Sequence, residues 1–178
     1  MALPVRDHRV EILAQGIVLQ AVVRTVKRVS DLINETDEFL TLHDVLVRKY
    51  GDPEDAAEAH TGGLIDRSSI ELMSEIVMQE GPTETTAVPG LHIPKVPYRV
   101  RLYTTNYEVD ADFHVAREVD IDTSILMFKG RFIPLTRALI ASTSQARPAE
   151  RLQRGFLLVN RSQLNYFGPT AMAPPVEI

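Results

Sequence analysis

The sequence predicts a mainly β fold made of two tandem copies of one small unit, each with a short helical turn. The first observation is a repeated phrase: L-I-D-R-S-S-I-E-L-M at residues 64–73 returns as L-V-N-R-S-Q-L-N-Y-F at residues 158–167. The second is the apolar pattern, which alternates with a period of two rather than the period of a helix. Tyr107, Val109 and Ala111 begin the clearest such alternation.

The match between the two copies extends backwards from this phrase. R-V-E-I-L at 9–13 pairs with R-V-R-L-Y at 99–103, an offset of 90. F-L-T-L-H-D-V-L-V at 39–47 pairs with F-I-P-L-T-R-A-L-I at 132–140, an offset of 93, and the closing phrase has an offset of 94. Offsets that grow in small steps indicate one unit with short loop insertions. We therefore expect an internal duplication.

The elements of the unit follow in order along copy one. Residues 9–13 predict a first strand, and the β-branched run at 17–23 predicts a second that is buried or strongly bent. In the next segment, V-S-D-L-I-N-E, Ser30 or Asp31 is expected to cap a short helical turn. Two further strands, separated by a polar loop, are predicted at 39–47 and 64–73.

These boundaries divide the chain into four segments. The first copy occupies 8–73, a Pro-containing linker 74–97, the second copy 98–167 and a flexible tail 168–178. Units of this length are small for an independent core, so pairing of the two copies would bury more apolar surface.

The composition excludes several classes of protein. There is no cysteine, so disulfides, a thiolate metal site and a cysteine nucleophile are excluded. A net charge of −5 argues against a protein whose main task is to grip a phosphate backbone. The start of the chain does not resemble a signal peptide, and no apolar run approaches the roughly 20 residues that span a bilayer. We expect a cytoplasmic protein with no membrane insertion.

The order of elements resembles that of the Sm/LSm-like, SH3-like small β-barrels. Asn34 stands in the connection, F-L-T-L-H-D-V corresponds to the middle strand and L-V-N-R-S-Q-L to the closing one. The resemblance implies a small β-barrel for each copy. The Sm signature has Arg-Gly in the closing segment, whereas neither Arg67 nor Arg161 is followed by glycine. The RNA-binding residues of that family are therefore not carried over.

The chain also resembles an uncharacterised bacterial domain family that reads R-V-x-V, L-S-D-x-L-N, F-I-x-L-T-D-A and F-L-x-V-N-K/R. Copy one has R-V-E-I, V-S-D-L-I-N and F-L-T-L-H-D-V, and copy two has R-V-R-L, F-I-P-L-T-R-A and F-L-L-V-N-R. This resemblance implies a shared fold and no assigned activity.

No pattern in the sequence predicts an enzyme. His43-Asp44 is the best candidate for a catalytic or metal-binding pair, but copy two has Thr136-Arg137 in its place. The remaining histidines lack the spacing of metal ligands, and nucleotide-binding and nucleophile motifs are absent from the sequence. We therefore expect no catalytic residues, no metal and no cofactor.

The two copies carry opposite net charges. Copy one holds 7 Lys/Arg and 12 Asp/Glu residues, a net charge of −5, and copy two holds 10 and 7, a net charge of +3. Complementary fields can set the register of association, and small barrels expose strand edges that pair with a neighbour. The sequence therefore predicts a non-enzymatic protein-interaction or scaffold module that self-associates through its acidic and basic copies. Drift after duplication would give the same asymmetry.

The alternative is nucleic-acid or cyclic-dinucleotide binding through the basic second copy. Arg24–Arg28 and Arg147–Arg151 have the R-x-x-x-R spacing of PilZ-type cyclic-dinucleotide receptors, and guanidinium groups suit phosphates. The repeated Asp/Asn-Arg-Ser phrase is either a structural turn or a ligand site formed twice. The candidate binding residues are Arg99, Arg101, Arg117, Arg131, Arg137, Arg147, Arg151, Arg154 and Arg161.

Overall fold

A computed structural model describes residues 4–49, 52–53, 56–76, 95–143 and 151–170. The elements of the first half are β1 (Arg6–Ala14), β2 (Ile17–Thr25), α1 (Val29–Ile33), β3 (Phe39–Lys49), β4 (Glu58–Asp66) and β5 (Ile70–Glu75). Those of the second half are β6 (Lys95–Tyr103), β7 (Tyr107–Ala116), α2 (Ile121–Leu126), β8 (Phe132–Ser142), β9 (Leu152–Asn160) and β10 (Tyr166–Pro169).

All ten of these strands belong to one antiparallel sheet. Their order is β10-β6-β7-β8-β9-β5-β1-β2-β3-β4, so each half has the same internal order. The predicted mainly β fold with a short helix in each half is confirmed. The sheet runs through both halves and stays open, so the strand pairing does not show two separate closed barrels.

Each half bends its third strand at the same place. Asp44 in β3 and Arg137 in β8, which are 93 residues apart, both have a positive φ, 49° and 50°. The strand pairing shifts register beside each of them, between β2 and β3 and between β7 and β8. A bulge of this kind bends a strand and increases its twist. It lets the long strand curve over the core of its own half.

Two hydrophobic clusters form the core, and they exchange side chains between the halves. Phe132 and Leu158, from β8 and β9, join the cluster of the first half. In return Leu13, Val18 and Leu72, from β1, β2 and β5, join the cluster of the second half. Each core therefore depends on the other half of the chain.

The predicted cap of the first helix is wrong. The N-cap residue of α1 is Arg28, which makes no side-chain capping bond, and Ser30 and Asp31 lie inside the helix. Val29 and Ile33 are buried, so packing rather than a cap fixes this helix. In α2 the side chain of Asp120 does cap the helix, since it accepts a 2.8 Å hydrogen bond from the Thr123 amide.

The predicted closing strand at 64–73 is also wrong, because the chain turns in its middle. β4 ends at Asp66 and β5 begins at Ile70. The Asp66 carboxylate accepts a 2.7 Å hydrogen bond from the Ser68 amide, and the Ser69 amide donates to the Asp66 carbonyl. Asp side chains favour such turns because they bond the backbone two residues on. The repeated phrase is a corner between two strands.

The strands reach into the segments predicted as linker and tail. β5 ends at Glu75 and β6 begins at Lys95, inside the predicted linker 74–97, whose residues 77–94 lie outside the described ranges. β10 ends at Pro169, and residues 171–178 of the predicted tail also lie outside them. Within the described ranges, no helix has the length and apolar character needed to cross a membrane.

Candidate functional site

Three of the predicted binding arginines come together on neighbouring strands of the second half. Arg99 lies 3.3 Å from the buried Asp112 carboxylate, which also binds Arg137. Arg101 forms a two-bonded pair with Asp110, at 2.9 and 3.0 Å. These hydrogen bonds and the nearby negative charge raise the pKa of the Arg101 guanidinium above its ordinary value. The positive charge of this group is therefore largely matched by aspartates.

The other predicted arginines lie elsewhere. Arg154 pairs with Glu11 of the first half, and Arg161 donates to the carbonyl of Phe128. Arg131 is half-buried beside the junction, Arg117 and Arg151 are exposed, and Arg147 lies outside the described residues. These contacts, and the separate positions of the arginines, weigh against a shared phosphate-binding surface.

The junction between the halves is formed by β5 and β9. These strands pair antiparallel, with Leu72 opposite Val159 and Met73 opposite Leu158. Asn34, which ends α1, reaches across the junction: its side-chain oxygen accepts a 2.7 Å hydrogen bond from the Phe132 amide. The junction thus combines strand pairing, exchanged apolar side chains and polar contacts.

Asn160 is a fully buried polar side chain of the junction. Its amide nitrogen donates to the Ile70 carbonyl at 2.8 Å and to the Arg67 carbonyl at 3.2 Å. Its side-chain oxygen accepts 3.0 and 2.8 Å hydrogen bonds from the amide and hydroxyl of Ser162. Asn160, from the second occurrence of the phrase, therefore hydrogen-bonds the corner between β4 and β5 that the first occurrence forms.

The same corner carries a buried carboxylate. Glu71 accepts hydrogen bonds from the Thr104 hydroxyl at 2.8 Å and the Asn106 amide at 3.1 Å. Both donors lie at the turn between β6 and β7 of the second half. The Glu71 and Asn160 side chains thus hydrogen-bond groups of the opposite half, which agrees with the interpretation of the phrase as a structural turn. Asp66 also agrees with a structural turn, because hydrogen bonds from Ser68 in the same turn lower the pKa of its carboxyl.

Arg154→Ala should destabilise the junction. Its guanidinium lies 2.6 Å from the nearly buried Glu11 carboxylate, which the substitution would leave without this partner. We expect a loss of about 2 kcal/mol in the free energy of unfolding, measured by chemical denaturation. Arg24→Ala is the matched control, because Arg24 and Asp7 form an exposed pair that contributes little. Equal losses for the two variants would contradict the role given to Arg154.

The two outer strands of the sheet form the other candidate site. β4 and β10 each pair with one strand only among the described residues. At the junction, three of the apolar side chains that cross between the halves are at most 1% exposed: Phe132, Leu158 and Leu72. Their counterparts at the outer edges, at offsets of 93 or 94, are 48%, 68% and 55% exposed: Phe39, Leu64 and Tyr166. An edge strand that carries an exposed apolar side chain can pair with another chain.

Sequence reasoning missed these edge residues because the same types of residue occupy the matching positions at the junction. Residue type alone therefore does not tell which of the two is exposed. The signal that could have found them is the repeated sequence pattern, since two halves of matching strand order that pair once leave one outer edge on each within the described residues. The described residues contain no group of side chains able to hold a metal ion, and His43 lies half-buried on β3.

Comparison with protein-family models, curated protein sequences and solved structures finds no match to this chain.

Proposed function

We propose that this protein is a non-enzymatic scaffold module of the bacterial cytoplasm that self-associates through its acidic and basic halves. In this proposal the halves are tandem copies of one Sm-like unit. The observation that carries it is the pair of outer strands, β4 on the acidic half and β10 on the basic half, each of which pairs with one strand only within the described ranges. Each exposes one large apolar side chain, Leu64 on β4 and Tyr166 on β10, whose counterpart is buried at the internal junction.

The opposite net charges of the two halves also favour contact between the acidic half of one molecule and the basic half of another. The internal junction already joins the acidic half to the basic half, and the Glu11–Arg154 pair bridges them. A contact between the outer edges of two molecules would again join unlike halves. The counterparts of that pair at the outer edges are Arg101 and His60, which are not of opposite charge. The electrostatic contribution would therefore come from the summed charge of the halves.

Size-exclusion chromatography with light scattering on the full chain tests this proposal. We expect a mass above the 19.9 kDa of one chain that rises with protein concentration and falls when salt is added. A mass of one chain at every concentration and at both low and high salt would overturn self-association. An oligomer indifferent to salt would retain self-association and overturn the contribution of the charged halves.

A further inference from the structure

We propose that the partner is a second copy of this chain, joined head to tail, with β4 of one copy paired antiparallel to β10 of the next. This inference rests on the proposed self-association and specifies its geometry. The internal junction is the template, because β9 and β5 are the counterparts of β4 and β10 in strand order.

The template fixes the register of the new contact. At the internal junction Met73 pairs with Leu158 and Leu72 with Val159. The same pairing, carried over at an offset of 94, places Leu64 opposite Phe167 of the next copy. Ile65 then lies opposite Tyr166. Strand pairing in this register continues the ten-stranded sheet into the neighbouring molecule.

This register gives the exposed side chains of β3 and β4 a core to enter. Phe132 and Leu158 complete the hydrophobic cluster of the first half. Their counterparts Phe39 and Leu64 would complete the cluster of the second half of the next copy. Phe167, which stands opposite Leu64 in this register, already packs edge-on against Phe113 of that cluster, with ring centroids 5.5 Å apart.

The exchange works in the other direction as well. Leu72 of β5 and Leu13 of β1 enter the cluster of the second half. Their counterparts are Tyr166 and Tyr103, whose rings lie 6.1 Å apart at the outer edge of the sheet. In the proposed contact these two rings would pack on the first half of the neighbouring copy.

The helix α2 supports the same contact and makes it different from the internal one. Met127 ends α2 as Asn34 ends α1, and each lies five residues before the phenylalanine that opens the next strand. Asn34 binds the backbone of Phe132 across the junction. Met127 and its neighbour Leu126 are exposed and apolar, and would lie against Phe39 of the copy that supplies β4. The polar contact is thus replaced by an apolar one.

Three lysine variants of the full chain test the contact. Leu64→Lys places a charge on the β4 edge, and Tyr166→Lys places one on the β10 edge. Leu46→Lys is the matched control, because Leu46 is an exposed leucine of β3 whose counterpart, Leu139, is not one of the buried core residues. Under conditions where the unsubstituted chain assembles, we expect Leu46→Lys to assemble and each edge variant to elute as a monomer. Circular dichroism and the thermal midpoint check that all three are folded.

Mixing the two edge variants distinguishes a head-to-tail contact from a symmetric one. Each retains the edge that the other has lost, so an equimolar mixture should form a one-to-one dimer of twice 19.9 kDa, visible by native mass spectrometry. No dimer in the mixture, or assembly of the edge variants alone while the unsubstituted chain also assembles, would overturn this inference and leave self-association standing. A monomeric unsubstituted chain would overturn both.

Disulfide crosslinking tests the register, and since the chain has no native cysteine, only the introduced cysteines can react. Leu64→Cys and Phe167→Cys, prepared separately and mixed under oxidising conditions, should give a disulfide-linked dimer of the two variants. Folding of Phe167→Cys is verified first, and Leu64→Cys with Gly168→Cys serves as the control shifted by one residue. Preferential crosslinking of the shifted pair, or of Leu64→Cys with itself, would overturn the proposed register.

Discussion

Phe132→Ala should lower the free energy of unfolding by about 4 kcal/mol, because it removes a fully buried ring from the core of the other half. Phe132 is fully buried, and it packs in the cluster built mainly from β1 to β5 although it belongs to β8. Its loss leaves a cavity at the junction, where both halves contribute the walls. Chemical denaturation at a protein concentration where the chain is monomeric gives the measurement.

Phe39→Ala is the matched control for this substitution. Phe39 is the counterpart of Phe132 in the first half, but its ring is about half exposed. We expect the monomer to lose no more than about 1 kcal/mol, since little apolar surface leaves a buried site. If both substitutions cost the same, the asymmetry between the junction and the outer edge would be contradicted.

Asn160→Ala should cost about 3 kcal/mol, the second largest effect that we expect from a single substitution. The side-chain nitrogen of Asn160 donates to the carbonyls of Arg67 and Ile70 in the first half. Its side-chain oxygen accepts a hydrogen bond from Ser162 in the second half. Removing this side chain leaves the carbonyls of the buried residues Arg67 and Ile70 without this donor, and unsatisfied buried groups are costly. The thermal midpoint and chemical denaturation both report this loss.

Two controls separate the hydrogen bonds of Asn160 from its shape. Asn160→Asp keeps the volume but replaces the donor with an oxygen that faces two carbonyls, so it should destabilise at least as strongly as alanine. Asp66→Ala removes the counterpart, which is only half-buried and bonds Ser68 within its own turn. A smaller loss is expected there. A stable Asn160→Asp would show that the donor contributes little.

The sequence was most informative about the β content of the two halves and least informative about the contacts between them. The repeated phrase and the period-two alternation predicted two β-rich halves, and the strand order of the two halves agrees with that expectation. A period of two says which face of a sheet a side chain lies on, but not which core it enters. Phe39 and Phe132 open matching segments, yet one is half exposed and the other buried.

The arginines show a second limit of residue counting. Copy two has a net positive charge, but β6 and β7 form a hairpin in which Arg99 stands opposite Asp112 and Arg101 opposite Asp110. The alternation of arginines before the turn and aspartates after it carries this information in the sequence. Net charge alone does not reveal it, because pairing depends on which residues face one another across two strands.

The exchange of side chains across the junction has a consequence for the order of events during synthesis. The ribosome releases residues 4–76 first, when Phe132 and Leu158 have not yet been made. Until they arrive, the first half has an unfilled core, and its Leu13, Val18 and Leu72 have no core to enter. A nascent chain at this stage exposes the strand edge of β5 together with these apolar groups, which is the kind of surface that chaperones protect. The core of the first half is therefore completed only when β9 has emerged.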